Sequence, residues 1–208
     1  MSNVQRVFMS LAPVDYDFGV SANYAFAETI TCSNEEARKM YVEAFGHMLN
    51  YNHEQAIACF TKCTELDPNC AMAWWGIAYC VSSNYNWSPG LGPGYDAIQQ
   101  AVSLKDGCSE LEQDLIMALS TRHSKEARDN ANPAALNMGN SPELNQAFAD
   151  AMAPLYEKYR GNLDVAAIYV EALMNLNPWT LWNKDAASGE ITPVDDSTLL
   201  LIEIMEDA

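Results

Sequence analysis

Basic side chains are scarce: 11 lysines and arginines stand against 28 aspartates and glutamates, a net charge of −17. A surface of that sign repels phosphate backbones, so no nucleic acid is expected as a partner, and a neutral or basic protein or peptide is favoured. Long apolar runs are missing too. No stretch approaches the roughly 18 apolar residues that a bilayer demands, so no membrane span is expected. The apolar patch from Val7 to Val14 is broken by Ser10 and Pro13 and followed by Asp15 and Asp17, unlike a secretory leader, so a cytoplasmic location is expected. The sequon Asn86-Trp87-Ser88 has meaning only in a secreted chain. There are three histidines and no CxxC pair, and six cysteines are too few for a disulfide scaffold at this length. Cys59 and Cys63, one helical turn apart, therefore read as buried structural thiols, with no metal and no cofactor expected.

Apolar residues make up 49% of the 208 positions, ample for a packed core. From Met40 to Val81 two helical patterns are joined by the turn LDPNC, with Ala56 and Phe60, then Pro68, then Trp74, Ile77, Ala78 and Val81 in order. Small residues (Ala44, Ala56, Ala78) let paired helices approach, Phe60 and Trp74 fill the space between pairs, and Pro68 stops one helix before the next opens. This order resembles the tetratricopeptide repeat, with Ala78 and Val81 departing from its last two letters. First helices are expected near Ala37, Ala71, Ser109 and Asn162, the first two at the repeat's step of roughly 34 residues. Tyr41-Val42-Glu43-Ala44-Phe45 recurs as Tyr169-Val170-Glu171-Ala172-Leu173. Second helices are expected over His53 to Leu66, Pro93 to Leu104, Pro142 to Tyr159 and Val194 to Glu206, with insertions after Tyr85 and from Ser124 to Ser141. The expected fold is all-α: a right-handed α-α superhelix of about four helix pairs over residues 32–208, behind an irregular arm at 1–31.

The stretches YNHEQAIACFTKCTELDPNCAMAWWGIAYCVSSNYN, AFADAMAPLYEKY and EALMNLNPWTLW resemble, more closely, a family of large, mostly bacterial tetratricopeptide-repeat proteins whose biochemical role is not established. The resemblance covers roughly residues 31 to 206. It implies a longer protein continuing into histidine-rich repeats that have no counterpart in this sequence. In NPWTLW, Pro178 stops a helix, and Trp179 and Trp182 are expected to pack over the ends of that helix and the one after Pro193.

In such a stack the first helices line the concave face. Arg38, Tyr41, Phe45, Met48 and Leu49 are expected there, then Met72, Trp75 and Tyr79, then Leu115 and Leu119, then Tyr169 and Leu173. An aromatic, methionine-rich face suits an extended or helical peptide unless a further segment fills it. Arg38 and Arg122 are the only cations placed near it, too few for a carboxylate clamp.

Catalytic signals are weak. His53-Glu54 is followed at the fifth position by Ile57, where a zinc-protease helix needs histidine. Gly90, Gly92 and Gly94 follow no strand, and Pro93 removes a phosphate-binding amide. Glu43 and His47 are one turn apart, a pattern that is more often structural. Arg122, Lys125 and Arg128 read as a solvated basic face. The expected function is a non-enzymatic scaffold that binds protein or peptide through the concave groove. The alternative is the N-terminal portion of a metal-dependent or catalytic repeat protein whose reactive residues lie downstream.

The last helix carries Leu199, Leu200, Leu201, Ile202, Ile204 and Met205, apolar around most of its circumference. With little chain after it, at least three of these side chains are expected to be exposed, and self-association or truncation of a longer solenoid is the expected cause.

Overall fold

The computed structural model of the chain describes residues 29–86, 92–129 and 141–207. Among them the fold is mostly helical: Glu35–Leu49 (α1), His53–Leu66 (α2), Ala71–Cys80 (α3), Gly92–Leu104 (α4), Glu110–Ser120 (α5), Lys125–Asp129 (α6), Pro142–Lys158 (α7), Leu163–Met174 (α8) and Asp196–Asp207 (α9). The only strands among the described residues, Trp182–Lys184 (β1) and Ile191–Pro193 (β2), form an antiparallel hairpin between α8 and α9. No helix there is long and apolar enough to cross a membrane.

Helix starts follow local capping chemistry. The Asn34 side chain accepts hydrogen bonds from the N–H groups of Glu36 and Ala37, and Asn162 does the same for Asp164 and Val165. Ser109 and Glu112 form a reciprocal capping box at α5. Glu112 is fully buried, and its carboxylate also accepts from Thr31 N (2.7 Å) and Thr31 Oγ1 (2.6 Å). Asp67, after α2, takes Ser33 N and Ser33 Oγ at 2.7 Å each. Residues 29–31, assigned to the irregular arm from sequence, thus end in a fixed anchor with Ile30 in the core, while 1–28 lie outside the described residues.

Successive helices pack in chain order: α1 on α2, α2 on α3, α3 on α4, α4 on α5, α5 on α7, α7 on α8 and α8 on α9. Helix α3, AMAWWGIAYC, also touches α1 and α5, and its lack of a polar face is what a helix surrounded by neighbours requires. Gly76 lets α2 come close, because a Cβ there would sit 2.4 Å from Cζ of buried Phe60.

At the C-terminal end, Leu201 and Ile204 of α9 are buried and Ile202 half-buried, while Leu199, Leu200 and Met205 are exposed. The expected minimum of three exposed apolar side chains is met.

The tryptophans of NPWTLW depart from expectation. Trp179 is 71% exposed and Trp182 53%, so neither covers a helix end. The hairpin accounts for this. Trp182 lies in β1 opposite Pro193, on a two-stranded ribbon whose residues are almost all in solvent. Asp185 organises the turn by accepting from Ala187 N, Ser188 N and Ser188 Oγ, and Gly189 supplies the positive φ of 74°.

Candidate functional site

The residues expected to line an open groove are, except for Arg38 and the half-buried Leu49, buried: Tyr41, Phe45, Met48, Met72, Trp75, Tyr79, Leu115, Leu119 and Tyr169 all belong to the core, as does Leu173. Other side chains cover them. Tyr41 packs against Phe45 and Phe60, and Trp75 stacks on Tyr79 at 5.1 Å and donates through Nε1 to the Leu115 carbonyl. Tyr169 lies 5.7 Å from the Tyr156 ring. Arg38 reaches back to the carbonyls of Ile30 (3.1 Å) and Cys32 (2.6 Å), fixing the approach to α1. In this structure these buried side chains pack into the core, and of them Tyr169 and Leu173 also line a groove.

Tyr79 leads to a polar cluster that sequence reasoning missed. Its hydroxyl donates to Glu171 Oε2 of α8 at 2.5 Å, and its ring meets Phe148 of α7 edge-on. Arg122, just beyond α5, is 1% exposed. It donates to Asn145 Oδ1 (3.1 Å from Nε, 2.9 Å from Nη2) and to the Ser83 carbonyl (2.5 Å), and its guanidinium covers the Phe148 ring. Asn145 in turn donates to the Asn175 carbonyl. The solvated basic face expected from Arg122, Lys125 and Arg128 is thus corrected for Arg122, which is buried because Ser83, Asn145 and the Phe148 ring enclose it. Lys125 and Arg128 do remain near the surface, paired with Asp129, and Arg128 also reaches Asp96. The signal available in sequence was Glu171, a lone carboxylate inside the apolar helix LDVAAIYVEALM.

His53, also buried, closes the cluster. Its Nδ1 lies 3.2 Å from the Cys80 carbonyl and 3.3 Å from Asn84 Nδ2. His47 is buried with Nδ1 3.2 Å from Asn52 Nδ2. Burial lowers the pKa of both histidines from 6.5; for His53 the Glu171 charge and the Cys80 carbonyl oppose burial, while Arg122 adds to it. Because the folded values lie below the unfolded ones, the unfolded chain takes up protons first. Stability is expected to be full above pH 6.5 and to fall as pH drops below it, as urea-unfolding midpoints measured across that window would show.

A groove of about 470 Å³ opens between α7, α8 and the start of α9. Ala149, Ala153, Tyr169, Leu173, Leu176 and Leu200 supply its apolar wall, and Asp150, Asp195 and Asp196 with Gln146 and Asn177 its polar rim. No lysine or arginine lines it. Tyr169 and Leu173 are the two expected groove residues that reach this space, from below.

Cysteine chemistry is quiet. All six thiols are free, and burial pushes Cys59 and Cys108 up to about 11 and Cys32 up to about 12, so they stay protonated. Among the described residues no group of three or more His, Cys, Asp or Glu side chains is placed to hold a metal ion.

Two aromatic residues sit in the left-handed backbone region, Tyr51 (φ 58°) and Trp179 (φ 64°). Replacing Trp179 by glycine removes a mostly exposed ring and relieves that conformation. Trp179→Gly is expected to raise stability by about 1 kcal/mol in thermal or urea unfolding. Comparison with protein-family models, with curated proteins and with solved structures found no match.

Proposed function

We propose that this chain is a tetratricopeptide-like right-handed superhelix of paired helices that binds a basic, amphipathic segment of another protein in the groove between α7, α8 and α9. The repeat reading is supported by the chain-order packing of neighbours and by the contacts of α3 with both α1 and α5, the first helices before and after it. The observation that carries the binding reading is the pairing of an apolar wall with three aspartates and no cation. A helical peptide places apolar anchors at i, i+3 and i+4 and lysines beside them, which complements that wall and rim. The exposed Leu199, Leu200 and Met205 on α9 extend the apolar surface, and the overall charge of −17 draws in a basic partner.

The test is a titration with a lysine-rich amphipathic peptide and a scrambled peptide of the same composition. The amphipathic peptide is expected to bind more tightly, and Leu200→Asp to abolish binding. Asp150→Lys with Asp196→Lys is expected to weaken it roughly tenfold, by replacing attraction with repulsion at exposed positions. Equal binding of both peptides would reduce the groove to a nonspecific acidic surface. Concentration-dependent dimerisation that Leu200→Asp abolishes, with no peptide bound, would assign the face to a second copy.

A further inference from the structure

Helices α7 and α9 both pack on α8, which leaves Tyr169, Leu173 and Leu176 of α8 as the floor of the groove between them. These three follow one another at four and three residues, a single stripe over about two turns, and Gln146, Ala149, Asp150 and Ala153 of α7 form a wall of the same length. Beyond Ala153 the two walls are tied together: Tyr156 Oη and Arg160 Nη1 both donate to Asp207 Oδ2 of α9, at 3.3 and 2.9 Å. Arg160 is also held by Glu157 at 2.8 Å, so the cation at that end is already paired. The rim aspartates differ in what they have left to offer. Asp195 is occupied by the fold: its Oδ2 accepts from Asn177 Nδ2 (2.7 Å), and its Oδ1 accepts from Ser197 Oγ (2.6 Å) and Thr198 N (3.1 Å), which caps the start of α9. Asp150 gives Oδ1 to Gln146 Nε2 (2.8 Å) and keeps Oδ2. Asp196, in the first turn of α9, makes no hydrogen bond or ion pair among the described residues. The two carboxylates open to a cation thus stand on opposite walls, both exposed, with the apolar floor between them.

Resting on the groove reading above, we propose that the site selects a helix whose apolar anchors at i, i+3 or i+4, and i+7 carry a lysine or arginine on each flank, one for Asp150 and one for Asp196. The floor sets the number of anchors, because about two turns of a docked helix lie along it before the Asp207 tie. Ala149 and Ala153 set the approach, since small side chains on α7 let a second helix axis come near. The charges set the flanks. A helix with all its cations on one side can satisfy either carboxylate by reversing its direction in the groove, but not both at once.

Isothermal titration of the intact chain with two peptides of one composition tests the proposal. Both are alanine-rich helices with leucines at i, i+4 and i+7; one carries a lysine on each flank of that stripe, the other carries both lysines on the same flank. The two-flank peptide is expected to bind about threefold more tightly, the contribution of one exposed charge pair. Asp150→Asn and Asp196→Asn, isosteric changes at exposed positions, are each expected to bring it down to the level of the one-flank peptide. Either variant is expected to change the one-flank peptide by less than about twofold, because the remaining carboxylate serves it. Glu54→Gln, exposed on α2 and outside the groove, removes the same unit of charge and is expected to change neither. Equal affinities for two peptides that both outbind a scrambled control overturn the two-flank rule and leave the groove reading standing. Failure of both peptides to bind removes the groove reading and the rule with it. A loss for Glu54→Gln as large as that for Asp196→Asn overturns the rule as well, since net charge alone would then explain the preference.

Discussion

Trp75→Ala is expected to lower the free energy of unfolding by about 4 kcal/mol, the range found for deleting a large aromatic from a core. The ring is fully buried, stacks on Tyr79 and donates to the Leu115 carbonyl, so truncation leaves a cavity and removes the second donor of the Leu115 carbonyl. Its neighbour provides the control. Trp74 is only partly buried and hydrogen-bonds the Pro68 carbonyl within the same turn, so Trp74→Ala is expected to cost less than half as much. Urea unfolding of the two variants measures the difference. If Trp75→Ala left stability unchanged and removed peptide binding, the aromatic stripe would be a working surface and its burial irrelevant. Stability lost with peptide binding retained in the folded fraction is the expected outcome.

Arg122→Ala is expected to cost about 3–5 kcal/mol, because it strips the buried Glu171 of a nearby opposite charge and leaves Asn145 Oδ1 and the Ser83 carbonyl short of a donor. Lysine is not expected to rescue it, since one ammonium cannot reproduce the planar fork that spans Asn145, Ser83 and the Phe148 face. Adding Glu171→Gln to Arg122→Ala is expected to cost less than the sum of the single changes, the coupling that a double-mutant cycle detects between partners of one network. Strict additivity would show that the two groups do not stabilise each other.

Helix positions were legible because they rest on local chemistry. The expected bounds of the helix from His53 to Leu66 coincide with α2, and Ala71 opens α3 after the Asp67-Pro68 turn. The helix expected near Ser109 is α5, which opens at Glu110 with Ser109 as its N-cap. What periodicity cannot reveal is what covers a face. Tyr79, expected on an open face, is enclosed by residues far along the chain, Glu171 and Phe148. Arg122 was misjudged for the same reason, since its enclosure by Ser83, Asn145 and Phe148 is a tertiary fact. The hairpin of β1 and β2 was missed because its strands are three residues each and mostly exposed, so they leave no alternating apolar pattern. The groove's aspartates were in view as composition only; α7 and α9 had to be packed around α8 before Asp150 and Asp196 shared a rim.

The central claim is that a basic amphipathic segment docks between α7, α8 and α9. Hydrogen exchange of the chain with and without the lysine-rich amphipathic peptide tests it most directly. The account predicts added protection in α7 around Gln146 to Ala153 and in the first turns of α9, with none in α1 or α3. Protection concentrated in α1 and α3, or none anywhere at saturating peptide, would contradict it.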